Sequence, residues 1–540
     1  MKARQPARSA SRAGIQQSTG SGPIPDLGAI VMAAGLGKRM RSKTVKVLHP
    51  VAGRPMVLYA VRVGEHIAGR GVAVVLGHQA KQVRAVIEER PWNDQRGAAI
   101  IPVEQAQQLG TGHAVMQARS VFTRGDREPV SAYVILNGDT PLLTEATVRQ
   151  LWRVHQDERA TVTLLTTVLD DPSGYGRVLR SGPPSRGAGS NGPGSILGVV
   201  EDRDATPAEA QVREVNVGTY VVDGQFLFEA LDKLQPNNAQ KEYYLTDLVG
   251  IAVDRGLRVS AVTLHDSREG LGINSRQELA VAEQIVRQQN SSRWMAAGVT
   301  MRDPATTWID ADVVIGQDTV LYPHVALEGA TSIGEDCVIR SHVRLTDCRV
   351  ADRVVVQDSS VLREARLEEG ATVGPFAHLR PGAVVRRNAK VGNFVEMKRS
   401  ELGEGSKANH LTYLGDARIG RNVNIGAGTI TCNYDGINKY ETVIEDDVFV
   451  GSDALLIAPV TVGRGALVGA GSAVTHDVPE DALAIARASQ VNKPGWAARR
   501  RASAKAGAPR KGGKPASTSA TKTTSRSGRG KTRRRAKAAT

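Results

Sequence analysis

Two separate sets of side chains in this sequence could do chemistry. The first starts in residues 31–40 (VMAAGLGKRM), where an apolar run gives way to small residues, glycines and a basic pair. Small residues let backbone N–H groups come close to phosphate oxygens. The turn is no Rossmann fingerprint, because Met40 stands where the third glycine belongs, and it has no Gly-Lys-Ser/Thr at Walker A spacing. Lys46 follows in an apolar stretch, a setting that favours a phosphate contact over a solvated charge. Asp139 ends the run 133–139, beyond the C-terminal end of a buried strand, where α/β sheets bind ligands. Its carboxylate could hold Mg²⁺, which takes one or two carboxylates plus phosphate oxygens, or it could cap a helix before Pro141. The second set is denser. Asn393, Lys398, Lys407, Asn409, His410, Tyr413, Asp416 and Asn424 to Gly428 bring Lys, His, Tyr and Asn together at recurring intervals.

Different elements must position the two sets. From residue 28 to about 285, short apolar runs (72–76, 132–136, 160–165) alternate with helical patterns (141–155, 275–289). That alternation predicts a mostly parallel sheet with helices on both faces. Residues 181–195 (SGPPSRGAGSNGPGS) read as a flexible surface loop. From 309 the period becomes six. Ile309, Ile315, Leu321, Leu327, Ile333, Ile339 and Leu345 form one run. Val355, Val361, Leu367, Val373, Leu379, Val385, Val391 and Met397 form a second, and Ile444, Val450, Leu456, Val462, Val468 and Val474 a third. This is the hexapeptide repeat of a parallel β-helix, in which three hexads make a triangular coil and the aliphatic residue points inward. Such a solenoid needs aliphatic, small and turn residues; it does not need the Lys, His, Tyr and Asn of the second set. Between 429 and 443 the repeat breaks, and an excursion from a regular solenoid is more often functional than decorative.

Composition bounds the rest. The chain has 540 residues, 41% hydrophobic and 23% charged, enough for about three domains. Three cysteines cannot build a disulfide framework, which favours a reducing compartment and a cytoplasmic protein. No apolar run approaches the roughly 20 residues of a membrane span, and the N-terminus has no apolar h-region. The formal charge of +15 is confined to the ends: residues 499–540 hold fifteen Lys or Arg and residues 1–25 four, with no acid in either, leaving a body at −4. The expected organisation is a disordered basic extension (1–27), an α/β domain (28–285), a helical linker (286–308), a β-helix (309–498) and a disordered basic tail (499–540).

In order and spacing, the first set resembles the sugar-1-phosphate nucleotidyltransferases. The likeness extends to Gln105 with residues 108–113, and to residues 174–177, 200–202, 215–218 and 272–275. With the second set included, residues 28–498 are similar to the family of bifunctional N-acetylglucosamine-1-phosphate uridyltransferase / glucosamine-1-phosphate acetyltransferase enzymes. The resemblance implies an α/β domain with a Rossmann-like, mostly parallel sheet, followed by a left-handed parallel β-helix.

It also implies roles. Met32, Ala33, Ala34 and Gly35 would hold the uridine of UTP, and Arg39 and Lys46 its phosphates, with Arg39 taking part in catalysis. Gln105, Gly110 and Thr111 would read the uracil. Asn137 and Gly138 would line the nucleotide, and Asp139 and Asn274 would ligate Mg²⁺. Gly176, Glu201 and Asn216 would hold the acetylated sugar. Met32 and Val45 stand where the family often has Leu and Pro, and Asn137 where an aromatic is common. In the β-helix, His410 would be the general base toward the amine of glucosamine 1-phosphate, since imidazole suits proton removal near neutral pH. The amine would then attack acetyl-CoA directly, with no acyl-enzyme and no need of Cys432. Arg380, Lys398, Tyr413, Asn424 and Lys439 would bind the sugar phosphate. Ala427, Asn433, Tyr434, Ser452, Ala470 and Arg487 would meet acetyl-CoA. The family is a homotrimer whose acetyl sites are shared between neighbours.

Two other readings compete. One is a nucleotidyltransferase whose β-helix only regulates or assembles it; the second set and the 429–443 excursion speak against that. The other is a nucleic-acid-binding protein, which only the tails support, and then only as non-specific, salt-sensitive polyanion binding.

Overall fold

The computed structural model describes residues 22–35, 37–90, 98–123, 130–182 and 194–506. Most of the N-terminal extension, most of the 181–195 loop and residues 507–540 therefore lie outside the described residues. Two units separate, 1–486 and 487–540.

The first unit opens with a sheet ordered, by strand, 259–263, 162–168, 214–223, 132–137, 27–33, 72–76, 100–104. Strand Leu27–Ala33 sits near its middle, parallel to Val72–Leu76 and to Ala132–Asn137. Its residues are almost all buried because helices cover both faces, as the unbroken apolar runs require. Glu214–Asp223 runs antiparallel to both neighbours in this order and to Arg177–Arg180, which in turn pairs antiparallel with Ile196–Val200, and its register shifts between Asn216 and Tyr220. The folded chain begins before the expected residue 28. Leu27 is fully buried, and Ile24 bridges Ala68. The helix expected over 141–155 starts only at Glu145, because Thr144 accepts the Thr147 N–H and sets the N-cap there.

Helix Arg276–Ala296 carries the chain out of this domain, started by a Ser275/Glu278 capping box. The expected linker of 286–308 is helical only to Ala296. Thr300–Met301 already pairs with Val320–Leu321 as a rung of the β-helix.

The β-helix is three parallel sheets of 11, 10 and 9 strands, each two to four residues long. The first and third hydrophobic runs point inward throughout. The second does not at its start: Val356 and Leu362 are fully buried, whereas Val361 is 43% exposed, so the expected inward Val355 and Val361 are each one residue out of phase. The cause is a missing residue. Inward positions step by five rather than six at Leu345 to Val350, Leu362 to Leu367, Met397 to Leu402 and Leu414 to Ile419. Every short step falls at the same corner, between the second and third sheets. The excursion is also shorter than 429–443. Ile430–Cys432 still pairs with Leu455–Ile457, and Thr442–Ile444 with Val460–Val462.

In the second unit, helix Trp496–Ala506 crosses the expected boundary at 498/499. Its Ala- and Arg-rich sequence has high helix propensity, which composition-based reasoning about disorder overlooked.

Candidate active sites

The first set converges at the C-terminal ends of strands Leu27–Ala33 and Ala132–Asn137. Met32 and Asn137 face each other in register, and Gly138 N–H donates to Met32 O at 2.9 Å. Lys46 is the hub. Buried to 9% exposure, its Nζ pairs with the Asp139 carboxylate and donates to Asn274 Oδ1 at 3.0 Å. Asp139 caps no helix, since that position belongs to Thr144. Asn274 is itself fixed: its N–H donates to Glu278 Oε2 at 2.6 Å and its Nδ2 to Gly272 O at 3.2 Å. Two hard oxygens, one carboxylate and one amide, therefore aim at a single point that an ammonium now fills. That donor set fits Mg²⁺, which keeps most of its sphere for water and phosphate. Among the described residues no group of three or more His, Cys, Asp or Glu could form an all-protein cage.

Ala33 and Ala34 are buried and Gly35 is open to solvent. Arg39 lies exposed on the short turn Lys38–Met40. Gly110 holds φ +108, and a Cβ there would meet Tyr243 O at 2.6 Å, so only glycine fits. Gln105 is buried and spends its Nε2 on Gly110 O (3.1 Å) and His113 Nδ1 (2.9 Å), while Thr111 Oγ1 accepts from Leu245 N–H at 3.0 Å. Asn137 donates to the carbonyls of Val217 and Gly218 at 3.2 and 3.3 Å, so its amide N–H groups hold the register-shifted strand.

Gly176, Glu201 and Asn216 also meet. Asn216 N–H donates to Gly176 O at 2.8 Å, and the Glu201 carboxylate lies beside Gly176. Burial pushes the Glu201 carboxyl up, against a bond from Thr246 Oγ1 at 3.1 Å that lowers it. Tyr175 adjoins Gly176 in the chain and lies within electrostatic reach of the carboxylates around Lys46. Burial raises its phenol, and Asp139, Glu278 and Arg39 all act on it electrostatically. Sequence reasoning gave Tyr175 no role; its place in the motif 174–177, directly before Gly176, was the available signal.

In the β-helix, His410 is exposed at the end of strand Lys407–His410, before the corner leading to Tyr413–Gly415. Its Nδ1 lies 2.8 Å from Asn393 Oδ1. A proton donated to that carbonyl oxygen leaves Nε2 free to accept one. Asn393 was quoted in the cluster but given no role. It sits in register with His410 one coil away, which the 17-residue spacing could have shown. Three of the proposed acyl-donor residues climb the same edge: Gly428 N–H donates to Leu411 O, Asp453 N–H to Ala427 O, and Gly471 N–H to Ser452 O, next to Ala470.

Arg380, Lys398 and Tyr413, expected to bind the sugar phosphate, lie on the next face. Lys398 has its pKa lowered, first by Lys439 and then by Arg380 and Arg399. Mutually repelling cations in solvent are the electrostatic signature of an anion site. Arg380 is steadied by Glu396 at 2.9 Å. Tyr413 begins a strand of this face, whereas Asn424 lies on the preceding face, paired in register with Lys407. Asn433 is buried against Asp416 and pins the excursion, and Tyr434 stands exposed with its hydroxyl on Gly436 O at 2.6 Å. The Cys432 thiol is raised by burial, which opposes a nucleophilic role. Arg487 is exposed in the second unit.

Comparison with known proteins agrees with the two-part architecture, an α/β domain followed by a hexapeptide-repeat β-helix. The MobA-like NTP transferase domain matches residues 29–181, and the hexapeptide repeat of succinyl-transferase matches residues 441–476. The chain is 49% identical over 473 residues to the bifunctional protein GlmU of Trichlorobacter lovleyi, an alignment covering 88% of this chain and 98% of that one. Those of Pelobacter propionicus (46%, 88% and 98%) and Exiguobacterium sp. (47%, 87% and 99%) are similar over the same extent.

Proposed function

The chain belongs to the GlmU family of bifunctional enzymes, and we propose from that premise that its two side-chain sets are the two active sites. It acetylates glucosamine 1-phosphate with acetyl-CoA and transfers UMP from UTP to N-acetylglucosamine 1-phosphate, releasing pyrophosphate. The observation that carries the assignment of sites is the convergence of Asp139 and Asn274 on Lys46, with His410 oriented by Asn393 in a different architecture.

For uridyl transfer, the sugar phosphate oxygen attacks the α-phosphorus of UTP in line. The nucleophile is already anionic, so positioning and charge neutralisation suffice. Lys46 and Arg39 neutralise phosphate charge, Gln105, Gly110 and Thr111 hold the base, and Gly176, Glu201 and Asn216 hold the acetylated sugar. Asp139 and Asn274 would hold Mg²⁺, which supplies electrostatic stabilisation of the phosphate oxygens. For acetyl transfer, His410 Nε2 takes the proton of the amine, the amine attacks the thioester carbonyl, and the C–S bond breaks so that CoA leaves as the thiolate and the amide remains on the sugar. Arg380, Lys398, Tyr413, Asn424 and Lys439 bind the sugar phosphate.

The proposed acetyl-site residues are spread over two faces and two edges of the prism, with Asn424 on one face and Lys398 on the next. That spread supports a homotrimer in which neighbouring chains complete each site. The co-substrates and three free cysteines support a cytoplasmic protein. Among the described residues no helix is long and apolar enough to cross a membrane. The basic tails would bind polyanions non-specifically.

One assay tests the reading. Purified protein receives glucosamine 1-phosphate, acetyl-CoA, UTP and Mg²⁺, and free CoA and pyrophosphate are read separately. Both products are expected. Pyrophosphate from supplied N-acetylglucosamine 1-phosphate without any CoA release would reduce the β-helix to an assembly element.

A further inference from the structure

The segment that carries Lys46 does not end in its own domain. His49 N–H donates to Lys46 O, and Met56 N–H to His49 O, closing a small hairpin of Pro50–Val51 and Arg54–Pro55. This hairpin is pinned on one side by the β-helix. Ala311 N–H donates to Ala52 O at 2.8 Å. Arg54, 7% exposed, sets its guanidinium on the Asp312 carboxylate, with Nε 3.4 Å from Oδ2 and Nη2 paired with Oδ1. Gly53, at φ +73, has no space for a Cβ against the Asp310 carboxylate.

The segment that carries Asn274 reaches the same place by another route. Helix Arg276–Ala296 starts immediately after it. Along that helix, Arg276 Nη1 lies 3.3 Å from His49 Nδ1, Glu283 Oε2 accepts from Ala52 N–H at 2.6 Å, and Asn290 Nδ2 donates to Ile309 O at 3.0 Å. Val51, Ala52, Ile273 and Ala282 share one small apolar cluster with Ala311 packed on it.

We propose that the first coil of the β-helix belongs to the uridyl-transfer machinery, with Asp312, through Arg54, as a positioning residue that keeps Lys46 and Asn274 in register. This rests on the assignment of Lys46 and Asn274 to the uridyltransferase site. An ion pair of a buried arginine with a partly buried carboxylate contributes little net stability, yet it fixes where its partners sit. The Lys46–Asn274 contact is a single 3.0 Å bond between two segments held together at residues 309–312, so a small shift of the hairpin moves Lys46 off the phosphates. Displacement of a catalytic group by about 1 Å can lower a rate ~100-fold.

The test uses the full chain with Asp312→Ala, the isosteric Asp312→Asn, the conservative Asp312→Glu and, as reference, Lys46→Ala. Uridyl transfer, acetyl transfer and thermal unfolding are measured on each. Asp312→Ala and Asp312→Asn are expected to lower kcat for uridyl transfer by about tenfold or more with KM for UTP changed less than about threefold. Acetyl transfer should stay within about twofold, and Asp312→Glu should restore at least about half of the lost kcat, which a merely structural contact would not give. If Lys46→Ala is inactive while Asp312→Asn keeps wild-type uridyl kcat, the clamp is overturned and the site stands. If Lys46→Ala retains uridyl transfer, the site assignment falls and the clamp with it. Equal losses of both activities in the Asp312 variants would also overturn the positioning role.

Discussion

Asn393 Oδ1 accepts from His410 Nδ1 at 2.8 Å across one turn of the β-helix. The two residues are partners in register between strands Lys390–Asn393 and Lys407–His410, so the solenoid's own repeat supplies the geometry. An exposed imidazole would otherwise rotate and exchange tautomers. Here Nδ1 is committed and Nε2 is left to accept a proton, at the start of the edge along which Ala427, Ser452 and Ala470 follow one another.

If His410 is the general base, His410→Ala should lower acetyl transfer by roughly 10²–10⁴-fold, with most of the loss in kcat. Asn393→Ala should lower kcat less, by about tenfold, because the base remains but its tautomer is no longer fixed. Uridyl transfer from supplied N-acetylglucosamine 1-phosphate should be unchanged in both. A change of less than about threefold for His410→Ala in a folded protein would move the base elsewhere.

The two sites share no residue, so they should fail independently. Asp139→Ala is expected to abolish pyrophosphate release and leave CoA release within about twofold. Chelation of divalent cations should reproduce that pattern in the wild type, and added Mg²⁺ should reverse it. Loss of CoA release on chelation would mean that a metal serves the second site as well.

Gly35 and Gly37 are two residues apart and should respond differently. A Cβ at Gly37 would stand 2.5 Å from Lys46 Cβ, with φ at +58. Gly37→Ala should therefore displace Lys46 and lower uridyl kcat by about tenfold. At Gly35 nothing lies within 4 Å of the added carbon. Gly35→Ala should leave thermal stability unchanged and act only through bound nucleotide, raising KM for UTP. Unchanged KM for UTP in Gly35→Ala would show that the backbone there does not approach the ligand.

The fold, and the residues that folding brings together around Lys46 and around His410, could be read from the sequence for one physical reason. A six-residue period and an unbroken buried strand are local patterns, and the motifs sit at their ends. Contacts made by folding could not be read. The five-residue corner steps that put Val356 and Leu362 inward depend on which corner each hexad turns. Arg54 looked like any surface arginine until Asp312, 258 residues on, came beside it. Asn393 and Tyr175 were visible as letters in motifs, but their partners lie one coil or several strands away. The helix Trp496–Ala506 was missed because a charge run was read as disorder when its alanines favour helix.

Acid stability should report a residue outside both sites. His155 ends helix Glu145–Asp157, is 4% exposed, and has its Nδ1 3.0 Å from Thr163 Oγ1. Burial lowers its pKa to about 4, partly offset by Asp223. The unfolded chain then binds a proton near pH 6.5 that the folded chain refuses until about pH 4, so stability is lost as pH falls through that window. Between pH 7 and pH 5 the loss from this one group is about 2 kcal/mol. Glu145, held at about 2 by His66 and Arg149, acts mainly below the ordinary carboxylate pKa and so adds little between pH 7 and pH 5. His155→Gln removes the titration and keeps a polar partner for Thr163. The variant should start less stable at pH 7, and its deficit should shrink by about 2 kcal/mol at pH 5, read as chemical unfolding free energies. A deficit that stays constant from pH 7 to pH 5 would show that His155 takes up its proton in the folded protein over the same pH range as in the unfolded chain.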